Sequence, residues 1–147
     1  MLSSRNQTGL TRRQIEQCEI IWEVLGGNEC CRLETSEAFQ HNSRTRFSQT
    51  QNIVFLGADA VPGSAIDTRS AMSEMACLAH ELAHAQRFEM GINRPIPPPD
   101  GFLDEAEASL HASFLLPIST TDRKNLVEDA RVQIAAWQAY ALAQWWE

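Results

Sequence analysis

This chain has little positive charge. Lysine and arginine together number 12 against 19 acidic residues, for a formal net charge of −7. The basic residues are scattered along the chain, so a phosphate-tracking surface and a nucleic-acid partner are not expected. Long apolar runs are also missing. The segment from Met1 to Gln14 is polar and lacks the apolar core of a secretory leader. No stretch approaches the roughly 18 apolar residues of a membrane helix. The expectation is a protein that acts off the membrane, in the cytoplasm or after export without a conventional signal peptide. Cysteine is sparse: Cys18, Cys30, Cys31 and Cys77. Their spacing is not that of a zinc finger or ribbon, and the vicinal pair has poor geometry for a disulfide, so free thiols are expected. There is no internal repeat, and no low-complexity tract beyond the prolines between Pro95 and Pro99. At 147 residues and 44% hydrophobic, the chain reads as a single domain spanning 1–147 with enough apolar material for a core.

What the chain does have is His80-Glu81-Leu82-Ala83-His84, inside its longest helical pattern. Residues four apart share a helix face, so His80 and His84 can offer two imidazole nitrogens to one metal ion. Glu81 projects about 100° away round the helix, within reach of a water on that metal. Two ligands and a general base from a turn and a half of helix form the zinc-peptidase arrangement. Zinc (Zn2+) is therefore the expected cofactor and Glu81 the expected catalytic base. Cys77, one turn before His80, is close enough in sequence to approach the metal, although such a residue is more often a small buried hydrophobe.

The elements around the motif read as follows. Residues 1–9 are expected to fray. Thr11, with Gln14 three positions on, caps a helix whose stripe is Ile15, Cys18, Ile21, Trp22 and Leu25, stopped by Gly26-Gly27. Cys30 to Thr35 predicts a short strand. Residues 36–51 show no clear period. Asn52 to Gly57 predicts a strand, either covered on both faces or lying at an edge over a cleft. Residues 58–67 form a loop. The motif helix is expected over 70–90, ended by Gly91. The prolines after Asn93 make a stiff connector. A helix follows from about Phe102 to Leu116, and another, capped by Thr120 or Thr121, runs to Trp146 with Leu126, Ala130, Ile134, Trp137 and Ala141 as its stripe. The fold class is α+β, mostly helical, with a small sheet beside the motif helix.

A catalytic zinc needs a third protein ligand and an open position. The acidic stretch Asp104-Glu105-Ala106-Glu107 supplies the candidates. Glu105 and Glu107 lie about 200° apart on a helix, so one of them at most faces the metal. Glu105 shares its face with Ala108, Ser109 and Ala112, small residues that let two helices approach. Glu107 shares its face with Leu103, Leu110, His111 and Phe114. This favours Glu105 over Glu107 as the third ligand.

His80 to Gly91, a proline-containing gap and then Asp104 to Ser109 resemble the gluzincin metallopeptidases. That resemblance covers roughly residues 52–117. It implies a compact zincin-like domain in which a Glu of the next helix completes a His, His, Glu site. Two branches are similar. Bacterial effector peptidases share the run His80 to Gly91 and the acidic pair, with Asp104 here replacing a Glu and Ala108 a common Thr. The ImmA/IrrE regulatory peptidases resemble Glu105 to Leu116, with Pro117 arriving one residue early. The activity implied is zinc-assisted hydrolysis of a peptide bond in a protein or peptide substrate. Glu81 would accept the water's proton and pass it to the leaving amine. His111, Arg87 and Tyr140 are candidates for stabilising the transition state, and the strand at 52–56, if at an edge, for pairing with substrate backbone. Two other readings stand beside this one. One is a metal-binding regulatory or interaction module with little hydrolysis. The other is a structural helical domain whose histidines are incidental.

Overall fold

A computed structural model describes residues 5–64 and 67–145. Within them the chain is α+β and mostly helical. Helix α1 spans Arg12–Val24. Its start is set by a capping box: Thr11 Oγ1 accepts from Gln14 N–H, and the Gln14 side chain accepts from Thr11 N–H. Ile15, Cys18 and Trp22 are buried on one stripe, while Glu16, Glu19 and Glu23 face water. Gly26, at φ 79°, turns the chain out of the helix in a conformation that favours glycine.

Three short strands follow: β1 at Arg32–Glu34, β2 at Arg46–Ser48 and β3 at Ile53–Phe55. The sheet order is β1-β3-β2, with β3 parallel to β1 and antiparallel to β2. Leu33 and Phe47 both pair with Val54, which is fully buried. The strand expected at 52–57 is therefore internal, covered by a neighbour along each edge. It has no free ladder to offer a substrate, and the edge-strand alternative is corrected. Strand β2 lies in the stretch that showed no period. Three residues are too few for alternation to register, and its pairing depends on the distant β3.

The helix expected over 70–90 is two helices, α2 at Thr68–Ala71 and α3 at Glu74–Glu89. Ser73 breaks them apart. Its hydroxyl accepts from Ala76 N–H at 3.1 Å, and donates to Asp122 Oδ1 at 2.7 Å. A side chain that caps a new helix start cannot also sit in a continuing one. Helix α4 spans Asp100–Ser113 and α5 spans Thr120–Trp145. The cap of α5 is Ser119, whose hydroxyl accepts from Asp122 N–H at 3.1 Å, rather than either threonine. The stripe of α5 is also shifted: Leu126, Asp129 and Ala130 are buried, while Ile134 is exposed. Trp146 lies outside the described residues.

Helix α3 runs through the middle of the molecule. Leu78, Ala79, Leu82, Ala83 and Ala85 are all 0% exposed. It packs against α1 on one side, against β2 and β3 on another, and against α4. Helix α4 lies between α3 and α5, and its contact positions are Ala106, Ala108, Ser109 and Ala112. Side chains this small bring the backbones close, which is what allows groups on three helices to meet around one point.

Residues 1–4 lie outside the described part, but the fraying expected through residue 9 is not what residues 5–9 show. Arg5 is 4% exposed and its guanidinium donates to the carbonyls of Asp59, Ala60 and Met72 at 2.9, 2.9 and 2.6 Å. A buried cation is tolerated only when bonded this fully. Asn42 N–H to Gln7 C=O, and Leu10 N–H to Ala38 C=O, add two backbone ties. No helix among the described residues is long and apolar enough to cross a membrane.

Candidate metal centre

His80 and His84 stand one turn apart on α3, and Glu105 reaches them from the second turn of α4. His80 Nε2 is 2.9 Å from Glu105 Oε2, His84 Nε2 is 3.1 Å from Glu105 Oε1, and the two Nε2 atoms are 3.1 Å apart. Of the two glutamates weighed in the sequence, it is Glu105 that meets both imidazoles. Glu107 turns away and bonds Arg87 and Arg94.

The outer ring nitrogens decide what faces inward. His80 Nδ1 is 2.8 Å from Ser109 Oγ, and Ser109 Oγ donates to Asp129 Oδ2 at 2.7 Å. With its proton committed to the carboxylate, Ser109 accepts from Nδ1–H. His84 Nδ1 faces Asp104 Oδ2 at 3.4 Å. A carboxylate is acceptor-only, so it too selects Nδ1–H. Each ring therefore turns its Nε2 to the common centre, beside a carboxylate, as the nitrogen that takes up either a proton or a metal.

The cluster has a strong demand for positive charge. Burial opposes a charged His84, but hydrogen bonds to Asp104 and Glu105 and the charge of Glu81 outweigh it and raise the ring to about 10. Burial likewise opposes an ionised Glu105, yet His80 and His84 hold its carboxyl well below the ordinary carboxylate value. That demand is met by a proton shared at the 3.1 Å Nε2–Nε2 contact, or by a metal cation that takes its place. The donor set is also chemically suited to zinc, two imidazoles and one carboxylate. Its edges come within a few tenths of an ångström of the roughly 3.3 Å expected for tetrahedral ligands at roughly 2.0–2.1 Å from zinc. His80, His84 and Glu105 thus form a group whose ligand atoms all lie within 4.8 Å of one another and could hold a metal ion.

Glu81 follows His80 on α3 and is part-buried. Burial raises its carboxyl above the ordinary value, against the pull of His84 and His80. A carboxyl displaced in that direction holds a proton more readily than an exposed glutamate does.

The other candidates are committed elsewhere. Arg87, 8% exposed, bonds Glu107 and lies 3.6 Å from Asp104. His111 Nε2 is 2.8 Å from Gln86 Oε1. Tyr140 packs its ring on Phe102, with centroids 6.5 Å apart. Cys77 is partly buried against the apolar core. Sequence reasoning passed over three residues of this site. Asp104 was visible as an acid one position before Glu105. Ser109 was visible four positions after it, on its face. Asp129 left one signal, an acidic residue beside Ala130 on the apolar stripe of α5. Comparison with protein-family models, with curated proteins and with solved structures finds no match for this chain.

Proposed function

We propose that this protein is a zinc-dependent metallopeptidase with a zincin-like fold, cleaving peptide bonds in a protein substrate. One observation supports this above the rest: His80, His84 and Glu105 converge from two helices, with Glu81 next to the first of them. In this reading His80 and His84 bind through Nε2, and Glu105 through its carboxylate. Zinc, when bound there, supplies Lewis-acid polarisation of a carbonyl oxygen and makes a water more acidic.

The chain's own residues do the rest. Glu81 takes a proton from the attacking water at a carboxylate oxygen and returns it to the leaving nitrogen. Asp104 holds His84, and Arg87 steadies Asp104 from behind. Because β3 is internal, backbone pairing with an extended substrate falls to an outer strand. Strand β2 is the outer strand that packs on α3, and so is the better placed of the two.

Elemental analysis and a proteome-wide cleavage screen test the reading together. Protein purified without a polyhistidine tag or chelator should carry about one zinc per chain, as tetrahedral protein sites do. Glu81→Gln should keep that zinc and lose about a hundredfold to ten-thousandfold in cleavage rate. Absence of zinc from the wild type would refute the reading. Full cleavage by zinc-loaded Glu81→Gln would leave a metal-binding module as the better account.

A further inference from the structure

We propose that Asp129 of α5 is a positioning residue of the metal centre, setting the tautomer and orientation of His80 through Ser109. The proposal rests on the zinc reading above, and on geometry that reading does not use. Asp129 and Ser109 are both 0% exposed. Their oxygens are 2.7 Å apart, and Ser109 Oγ is 2.8 Å from His80 Nδ1. A carboxylate inside a helix interface is destabilising unless its bonds are strong, whereas an alanine there would carry no such penalty.

The reason for an acid lies in the hydroxyl. Serine alone can donate or accept. If its proton turned to His80 Nδ1, the ring would carry its own proton on Nε2, where the metal needs a lone pair. Asp129 accepts only. It draws the Ser109 proton to itself, so Ser109 can only accept from Nδ1–H. Nε2 is left bare and facing Glu105. Helix α5 thereby belongs to the site although it contributes no ligand. His84 differs, since Asp104 reaches it directly from the ligand helix.

The test uses the full chain, depleted of zinc and titrated with zinc against a competing chelator. Asp129→Asn keeps size but frees the Ser109 proton, and Ser109→Ala removes one hydroxyl from a buried side of α4 shared with Ala106, Ala108 and Ala112. Each should weaken zinc binding by about 10- to 100-fold, the usual effect of losing such a partner. Melting of the zinc-depleted forms is measured alongside. In zinc-loaded wild type, 15N-labelled histidine should show a slowly exchanging Nδ1–H for His80, which Ser109→Ala loses. If Asp129→Asn does not fold, Ser109→Ala decides alone. Wild-type zinc affinity in Ser109→Ala, with only its melting temperature lowered, would overturn the proposal and leave the metallopeptidase reading intact. A wild type with no zinc affinity would overturn both.

Discussion

Arg94 and Glu107 form a two-point ion pair, Nε to Oε2 at 3.1 Å and Nη2 to Oε1 at 2.5 Å. Arg94 lies on the proline-rich connector and Glu107 on α4. The pair pins the connector to the ligand helix, and Glu107 also bonds the buried Arg87 of α3. The two glutamates of α4 thus sit in separate places, Glu105 at the candidate metal centre and Glu107 at the helix junction.

That division predicts opposite phenotypes. Glu107→Ala leaves the buried Arg87 beside a single carboxylate, Asp104, and should cost about 1–2 kcal/mol, less than a fully buried pair because Glu107 is itself part-exposed. Its zinc content should stay near wild type. Glu105→Ala should lose zinc and, with it, the stability that binding to the native state adds. Denaturant titration and elemental analysis of both variants check this. Zinc lost in Glu107→Ala and kept in Glu105→Ala would show that the wrong glutamate has been assigned to the metal.

No disulfide joins any of the four cysteines in the fold. Cys30 donates its thiol proton to Glu89 Oε2 at 3.2 Å, and burial, then that bond, pushes it up to about 12. Burial does the same to Cys18, also to about 12. Denaturing, non-reducing thiol titration should count four groups, as the absence of disulfides requires. In the native protein, alkylation of Cys30 should be slow at pH 8 and rise about tenfold per pH unit well beyond pH 9, because only the thiolate reacts. A rate that levels off near pH 9 would contradict the raised value.

The same shift carries a sign for stability. Folded thiols hold their protons more tightly than unfolded ones, whose ordinary value is near 8.5. The stability this contributes is fully present below that value. It is lost as pH rises through the window toward about 12, where the folded thiols also ionise. Replacing Cys18 and Cys30 together by alanine should flatten the alkaline limb of the stability profile, read as denaturation midpoints between pH 8 and pH 11. An unchanged limb would assign alkaline unfolding to other groups.

Gly27 sits against the ring of Trp22. A Cβ added there would lie 2.2 Å from a ring carbon. Trp22 cannot yield easily, since it is 1% exposed and its Nε1 donates to Cys31 C=O at 3.1 Å. Gly27→Ala should therefore destabilise by about 1–3 kcal/mol, the usual range for overpacking. Urea denaturation measures it. A neutral result would mean that the ring and the turn after α1 shift together at little cost.

Local chemistry decided what the sequence could say alone. The capping box at Thr11, the stripe of α1 and the strand at 53–55 depend on neighbours a few residues away, and all were legible. The shared face of His80 and His84 is likewise a property of helix pitch. The choice of Glu105 over Glu107 was half legible, through the small residues on its face. What only the tertiary structure decided depends on partners distant along the chain. Ser73 ends one helix and starts another partly because Asp122 of α5 holds it. Strand β3 is internal because β1 and β2 arrive from two separate segments. Arg5 is held by carbonyls more than fifty positions away. Asp129 reaches Ser109, and through it His80, only because alanines let α4 pack closely against its neighbours. Helix pitch repeats within a few residues and can be read from a short window, whereas a hydrogen bond between helices exists only once packing has brought its donor and acceptor together.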